Sequence, residues 1–141
     1  MNKAIKDKII YRKANVNDAS SIVNINLNMW RTTYKNLISS KTIEARFLTY
    51  DDRVNKTINL VENNNTYIVA EINSIIIGFI LYVPSDNVKF ECCGEIKAFY
   101  VLDEYHHYGI GKALFNLAVI ELRKLGFHQL VIDCIVGNPA N

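Results

Sequence analysis

Glu95-Ile96-Lys97-Ala98-Phe99-Tyr100-Val101, then Leu102-Asp103-Glu104-Tyr105, then His106-His107-Tyr108-Gly109-Ile110-Gly111-Lys112-Ala113-Leu114-Phe115 is the stretch that decides the fold. The first seven residues are rich in β-formers and read as a strand. From Gly109 to Leu125, the positions Ile110, Ala113, Leu114, Leu117, Ala118 and Leu125 follow helical spacing, while Lys112, Glu121, Arg123 and Lys124 mostly fall elsewhere. Gly126 suits the residue that closes such a helix. Between strand and helix runs a loop with Gly109 and Gly111. Glycines let a backbone approach a ligand closely, and the first helical turn carries free N–H groups at its positive dipole end. The stretch predicts a strand–loop–helix that receives a phosphate or pyrophosphate.

Two familiar phosphate loops do not match it. A Walker A loop ends in Gly-Lys-Ser/Thr, and Gly111-Lys112 fits that end. Its first glycine position is His106, however, and its hydroxyl position is Ala113, so the magnesium ligand is missing. A dinucleotide fingerprint needs a third glycine where Leu114 stands.

Working outward, Gln129 to Val136 is an almost unbroken apolar run and reads as a central strand. With the preceding strand and helix it makes a βαβ unit, whose crossover is right-handed and whose strands are parallel. Upstream, Thr66–Ile72 and Ser74–Val83 are β-rich and meet at Asn73-Ser74, a hairpin turn in which Asn tolerates positive φ. Ile9 to Lys13 reads as a first strand, after a polar lead-in at residues 1–8. Asn17 or Asp18 caps a helix whose face carries Ala19, Ile22, Val23 and Asn26, with Met29 and Trp30 a turn further on. Residues 41–49 and 51–62 hold weaker helical patches. The order is β, α, α, β, β, β, α, β. The expected fold class is α+β, layered α/β/α, with a mixed, mostly antiparallel sheet and one parallel βαβ unit in a single domain over residues 9–141.

Composition agrees and excludes several classes. The chain has 141 residues, half of them hydrophobic and 21% charged, which fits a globular domain with a real core. Sixteen basic and 14 acidic residues nearly cancel, and no block of like charge stands out, so no nucleic-acid partner is expected. No apolar run approaches the roughly 18 residues of a membrane span, and the N-terminus lacks the apolar core of a signal peptide. Cys92, Cys93 and Cys134 are odd in number and form no CxxC pair, as expected of reduced thiols in the cytoplasm. Adjacent His106 and His107 do not converge easily on one ion, so no metal is expected.

The run His106-His107-Tyr108-Gly109-Ile110-Gly111 resembles motif A of the GNAT acyltransferase superfamily: Gln or Arg, two residues, Gly, one residue, then Gly or Ala. The likeness extends upstream through GEIKAFYVLDEY and downstream through GIGKALF and LGFHQLVIDCIVGNPAN. IIYRKANVNDASSIVNI is similar to the family's first strand and helix. In all, it covers roughly residues 9–141. One position departs: His106 stands where the family has Gln or Arg, a residue that supports the pyrophosphate loop mainly through its backbone.

The resemblance implies an acetyl-CoA-dependent N-acetyltransferase. It places the coenzyme against Phe99, Tyr100, Val101, His106, His107, Tyr108, Gly109, Ile110, Gly111 and Lys112, with Asn138 on the pantetheine arm. A backbone N–H near Tyr100 or Val101 would polarise the thioester. Glu95 aligns with a strand carboxylate that is the general base in some members, and a primary amine with a pKa of about 10.4 needs such a base at neutral pH. Trp30 and Tyr34 would wall the site for a small-molecule or peptide amine, with Asp51, Asp52 and Glu62 as further docking candidates. The family's C-terminal helix and strands, with a Tyr that protonates the thiolate, would follow Asn141. Their lack at this point in the sequence favours the alternative of a non-catalytic acyl-CoA-binding or regulatory module. It would also leave the Gln129–Val136 edge open to pairing in a homodimer.

Overall fold

The computed structural model describes residues 3–33, 49–84 and 93–132. Helix α1 (Lys3–Lys8) leads into strand β1 (Ile10–Lys13); a 3-10 turn at Val16–Asp18 then opens helix α2 (Ala19–Thr33). Helix α3 (Tyr50–Asn63) precedes β2 (Tyr67–Ile72), β3 (Ile75–Pro84) and β4 (Cys93–Val101). A 3-10 turn at Asp103–Tyr105, helix α4 (Ile110–Lys124) and strand β5 (Gln129–Ile132) follow. The sheet runs β1-β2-β3-β4-β5. Its first three pairings are antiparallel, and β4 and β5 are parallel.

The expected α/β/α layering is present. On one face, α4 buries Ile110, Leu114, Ala118 and Leu122 against Ile68, Ala70, Ile80 and Ile96. These four helix positions recur every four residues, and each large one contributes about 1.5–3 kcal/mol by leaving water. On the other face, Ile22, Ile25 and Met29 of α2 and Val61 of α3 cover Tyr67, Val69, Phe79 and Tyr100. Gly94 leaves room for α4: a Cβ there would stand 2.7 Å from Leu122 Cδ1. No described helix is long and apolar enough to cross a membrane.

Local readings hold in part. Asn73 and Ser74 both have positive φ, at 50° and 67°, as a tight two-residue hairpin requires. The helix start differs. Asn15 caps the 3-10 turn that leads into α2, ahead of the expected Asn17 or Asp18; its side chain accepts from the Asn17 amide, and Asp18 Oδ2 accepts from the Asn15 amide at 2.8 Å. Asp18 also takes two hydrogen bonds from Arg12, at 2.7 and 3.0 Å, and Arg12 Nε donates to Glu71 at 2.7 Å. That network ties β1 to α2 and to β2. Residues 3–8 are more than a lead-in, because they form a helix whose Ile5 packs on the α4-side core.

Two expectations about strands are corrected. In β4, Leu81 pairs with Ala98 but Tyr82 pairs with Ile96, so Lys97 is an inserted residue, a β-bulge. Glu95, Lys97, Phe99 and Val101 therefore do not share one face. Phe99 and Val101 join Ile96 on the α4 side, while Ala98 and Tyr100 lie on the α2 side. Among the described residues the last strand, expected to be central over Gln129–Val136, is not so, and residues 133–136 lie outside them. It ends the described sheet, and Leu130 and Ile132 are exposed.

Candidate coenzyme and catalytic site

The bulge divides β4. Before it, Cys93–Ile96 pair with Gln129–Ile132. Beyond it, Leu102 N donates to Ile77 O at 2.9 Å. Directly opposed residues in an antiparallel pair alternate between bonded and non-bonded. Leu102 and Ile77 are bonded, so Val101 and Gly78 are not, and Tyr100 and Phe79 are. The main-chain groups of Tyr100 thus face β3, and those of Phe99 and Val101 face away from it. Of the two expected thioester donors, only Val101 keeps an N–H on the cleft side; the Tyr100 ring packs near Phe79, 5.6 Å between centroids.

A cleft of ≈ 290 Å³ opens there, lined by Phe99, Val101, Tyr105, His106, His107, Gly109, Ile110 and Gly111. Seven of these were expected. Tyr105, in the same loop four residues before Gly109, lines the cleft as well. Tyr108 packs against the core instead, its ring 6.3 Å from that of Tyr105, and Lys112 is exposed.

The loop is built to present amides. His107 and Gly109 both have left-handed φ, at 76° and 74°, an alternation that turns successive N–H groups towards one side. Gly109 precedes the helix without a side-chain cap, and Ala113 is the first residue after it to bond back, to Gly109 O at 3.0 Å. Among the described residues, the amides of His107 to Lys112 donate to no backbone carbonyl. Six such donors at a helix start fit an anion. The His106 ring closes the inner end of the loop, with Nε2 3.0 Å from Val101 O.

Glu95 is buried, and its carboxylate Oε2 lies 3.7 Å from Lys97 Nζ. Its partner across the sheet is Val83, and its neighbours Gly94 and Ile96 face α4. Strand alternation therefore turns Glu95 to the α2 side. Base candidate and loop thus sit on opposite sides of β4. Trp30 belongs to α2, but its side chain, like Tyr34 and Asn138, lies outside the described residues. Asp51, Asp52 and Glu62 are exposed on α3; the two aspartates stand in its first turn, where they suit the dipole.

Residues 27–141 match the family model described as the acetyltransferase (GNAT) family. An uncharacterized N-acetyltransferase of Bacillus subtilis, YuaI, is 24% identical over 133 residues, covering 94% of this chain and 75% of its own. The crystal structure of a PaiA N-acetyltransferase from Thermoplasma acidophilum, in complex with coenzyme A, superposes with a TM-score of 0.75 at 24% identity, over 93% of this chain and 82% of that one. A predicted acetyltransferase with acetyl-CoA from Clostridium acetobutylicum superposes with a TM-score of 0.68 at 21% identity, over 94% and 85%.

Proposed function

The chain belongs to the acetyltransferase (GNAT) family and is a transferase of that kind, and from this premise we propose that it moves the acetyl group of acetyl-CoA directly onto an amine. The observation that carries this reading is the run of six amides at His107–Lys112 that, among the described residues, donate to no backbone carbonyl, beside a cleft walled by Phe99 and Val101. The solved relatives crystallised with coenzyme A or acetyl-CoA support the same ligand.

The residues fit that ligand by their chemistry. A diphosphate needs many donors and a positive field, and the loop offers both. An amide-bearing pantetheine arm needs an open strand edge, and among the described residues no strand pairs with Phe99 on the side away from β3. Acetyl-CoA supplies an acyl group already activated as a thioester. Val101 N–H is a fixed donor for the carbonyl oxygen, held in place before any charge develops. Glu95 accepts the proton of the attacking amine at its carboxylate. That removal costs about 4–5 kcal/mol at neutral pH for an ordinary primary amine, so a nearby base matters. Trp30 and Tyr34 would hold the acceptor, a small-molecule or peptide amine. The buried thiol of Cys93 suits a reducing, cytoplasmic setting.

Thiol release from acetyl-CoA, followed with a panel of polyamines, aminoglycosides, amino acids and peptide N-termini, tests the proposal. At least one amine should speed release and gain an acetyl group. Binding of acetyl-CoA without acceleration by any amine class would instead favour a coenzyme-binding module without turnover.

A further inference from the structure

The Val101–Leu102 peptide unit is held at both ends. Its N–H donates to Ile77 O at 2.9 Å, and its carbonyl oxygen, on Val101, lies 3.0 Å from Nε2 of His106. A carbonyl can only accept, so this bond exists only while Nε2 carries a hydrogen. The His106 side chain is 31% exposed, so water competes for it only in part. Asp103 Oδ1 is also near, but at 3.7 Å it is beyond hydrogen-bond reach and it stands in solvent. Without the imidazole, Val101 O would face the cleft as an open acceptor.

We propose that His106 is a positioning residue whose imidazole, through Nε2–H, fastens the end of β4 to the anion loop. The inference rests on the coenzyme reading above and concerns the side chain, not the backbone amide. Two things follow. The carbonyl of Val101 is occupied, so the acyl end of the coenzyme meets at this residue only the N–H that polarises the thioester. In addition, the spacing between that N–H and the amides of His107–Lys112 is set before a ligand arrives. A ligand that grips both ends then loses less freedom on binding.

The test compares coenzyme A binding, by calorimetry, for the wild type, His106→Leu and His106→Gln, and reads the imidazole tautomer of the free wild type by nitrogen NMR. Leucine fills the space without a donor; glutamine restores an N–H. The expected results are an Nε2–H tautomer, binding weakened about five- to tenfold in His106→Leu, and most of that loss recovered in His106→Gln. Equal affinity for wild type and His106→Leu would overturn the proposal. So would a glutamine variant no better than leucine, or a wild-type ring protonated on Nδ1 alone. If the folded wild type binds no coenzyme A, the coenzyme reading itself falls, and the role proposed for His106 falls with it. The tautomer would still report whether the Val101 contact forms.

Discussion

Glu95 Oε2 lies 3.7 Å from Nζ of Lys97, the residue that the β4 bulge inserts. The bulge separates two tasks along one strand. The Phe99 and Val101 side chains go to the α4 side, with their main-chain groups facing the cleft, while Glu95 stays on the side of α2. If Glu95 takes the proton, Glu95→Gln should lower kcat about 10²–10⁴-fold, as loss of a positioned base does. Coenzyme affinity should stay within about twofold, because the anion loop is untouched. Turnover equal to wild type would remove Glu95 from the role.

Gly109 has φ of 74°, and a Cβ there would meet nothing within 4 Å. The cost of Gly109→Ala is therefore backbone conformation alone, about 1–2 kcal/mol. Urea unfolding should show that loss of stability, together with weaker coenzyme binding as the amides turn away. An unchanged midpoint would mean that the loop does not hold this conformation.

Gly111 differs from Gly109. A Cβ there would sit 3.5 Å from Phe99 Cζ, an ordinary contact, at a helical position. Gly111→Ala should fold at least as stably, by about 0.5–1 kcal/mol from helix propensity. Gly111→Leu sends a larger side chain into the cleft beside Phe99. Its melting temperature should hold, and acetyl-CoA affinity should fall about tenfold or more. Wild-type affinity in the leucine variant would place the ligand elsewhere.

Asp18 gives the pH dependence. Burial alone would raise its pKa, but the Arg12 guanidinium and the Asn15 amide together hold it below the ordinary value of 3.8. A carboxylate depressed in the folded state contributes its full stability above the unfolded value. That contribution is lost as pH falls through the folded value. Asp18→Asn should thus be less stable than wild type by about 2–4 kcal/mol near neutral pH. The gap should narrow as the pH drops below about 3.8. A gap that stays constant into the acid range would show that the ion pair does not carry the difference.

The strand–loop–helix was legible because its signals are local: a β-rich run, two spaced glycines and a long helical period. The Asn73-Ser74 turn was legible for the same reason. The bulge was not, because one inserted residue leaves no mark in a β-rich run such as Glu95 to Val101. That single residue parts Phe99 and Val101 from the face of Glu95, which plain strand alternation would have them share. Asn17 and Asp18 looked like caps because the 3-10 turn ahead of α2 leaves no local mark, and it is Asn15, paired with Asp18, that caps this turn. Strand β5 misled because an apolar run marks a buried strand only where both faces are covered. The His106–Val101 bond is a tertiary contact that follows from how the loop folds back, which no spacing rule encodes.

Hydrogen exchange at the amides of His107 to Lys112, read by NMR with and without saturating acetyl-CoA, tests whether this loop holds the coenzyme. Without ligand, these donors have no backbone acceptor among the described residues and should exchange quickly. With acetyl-CoA bound, exchange should slow markedly across this run and at Val101 N–H. Unchanged exchange at all of them, in a sample saturated with acetyl-CoA, would contradict coenzyme binding at this loop.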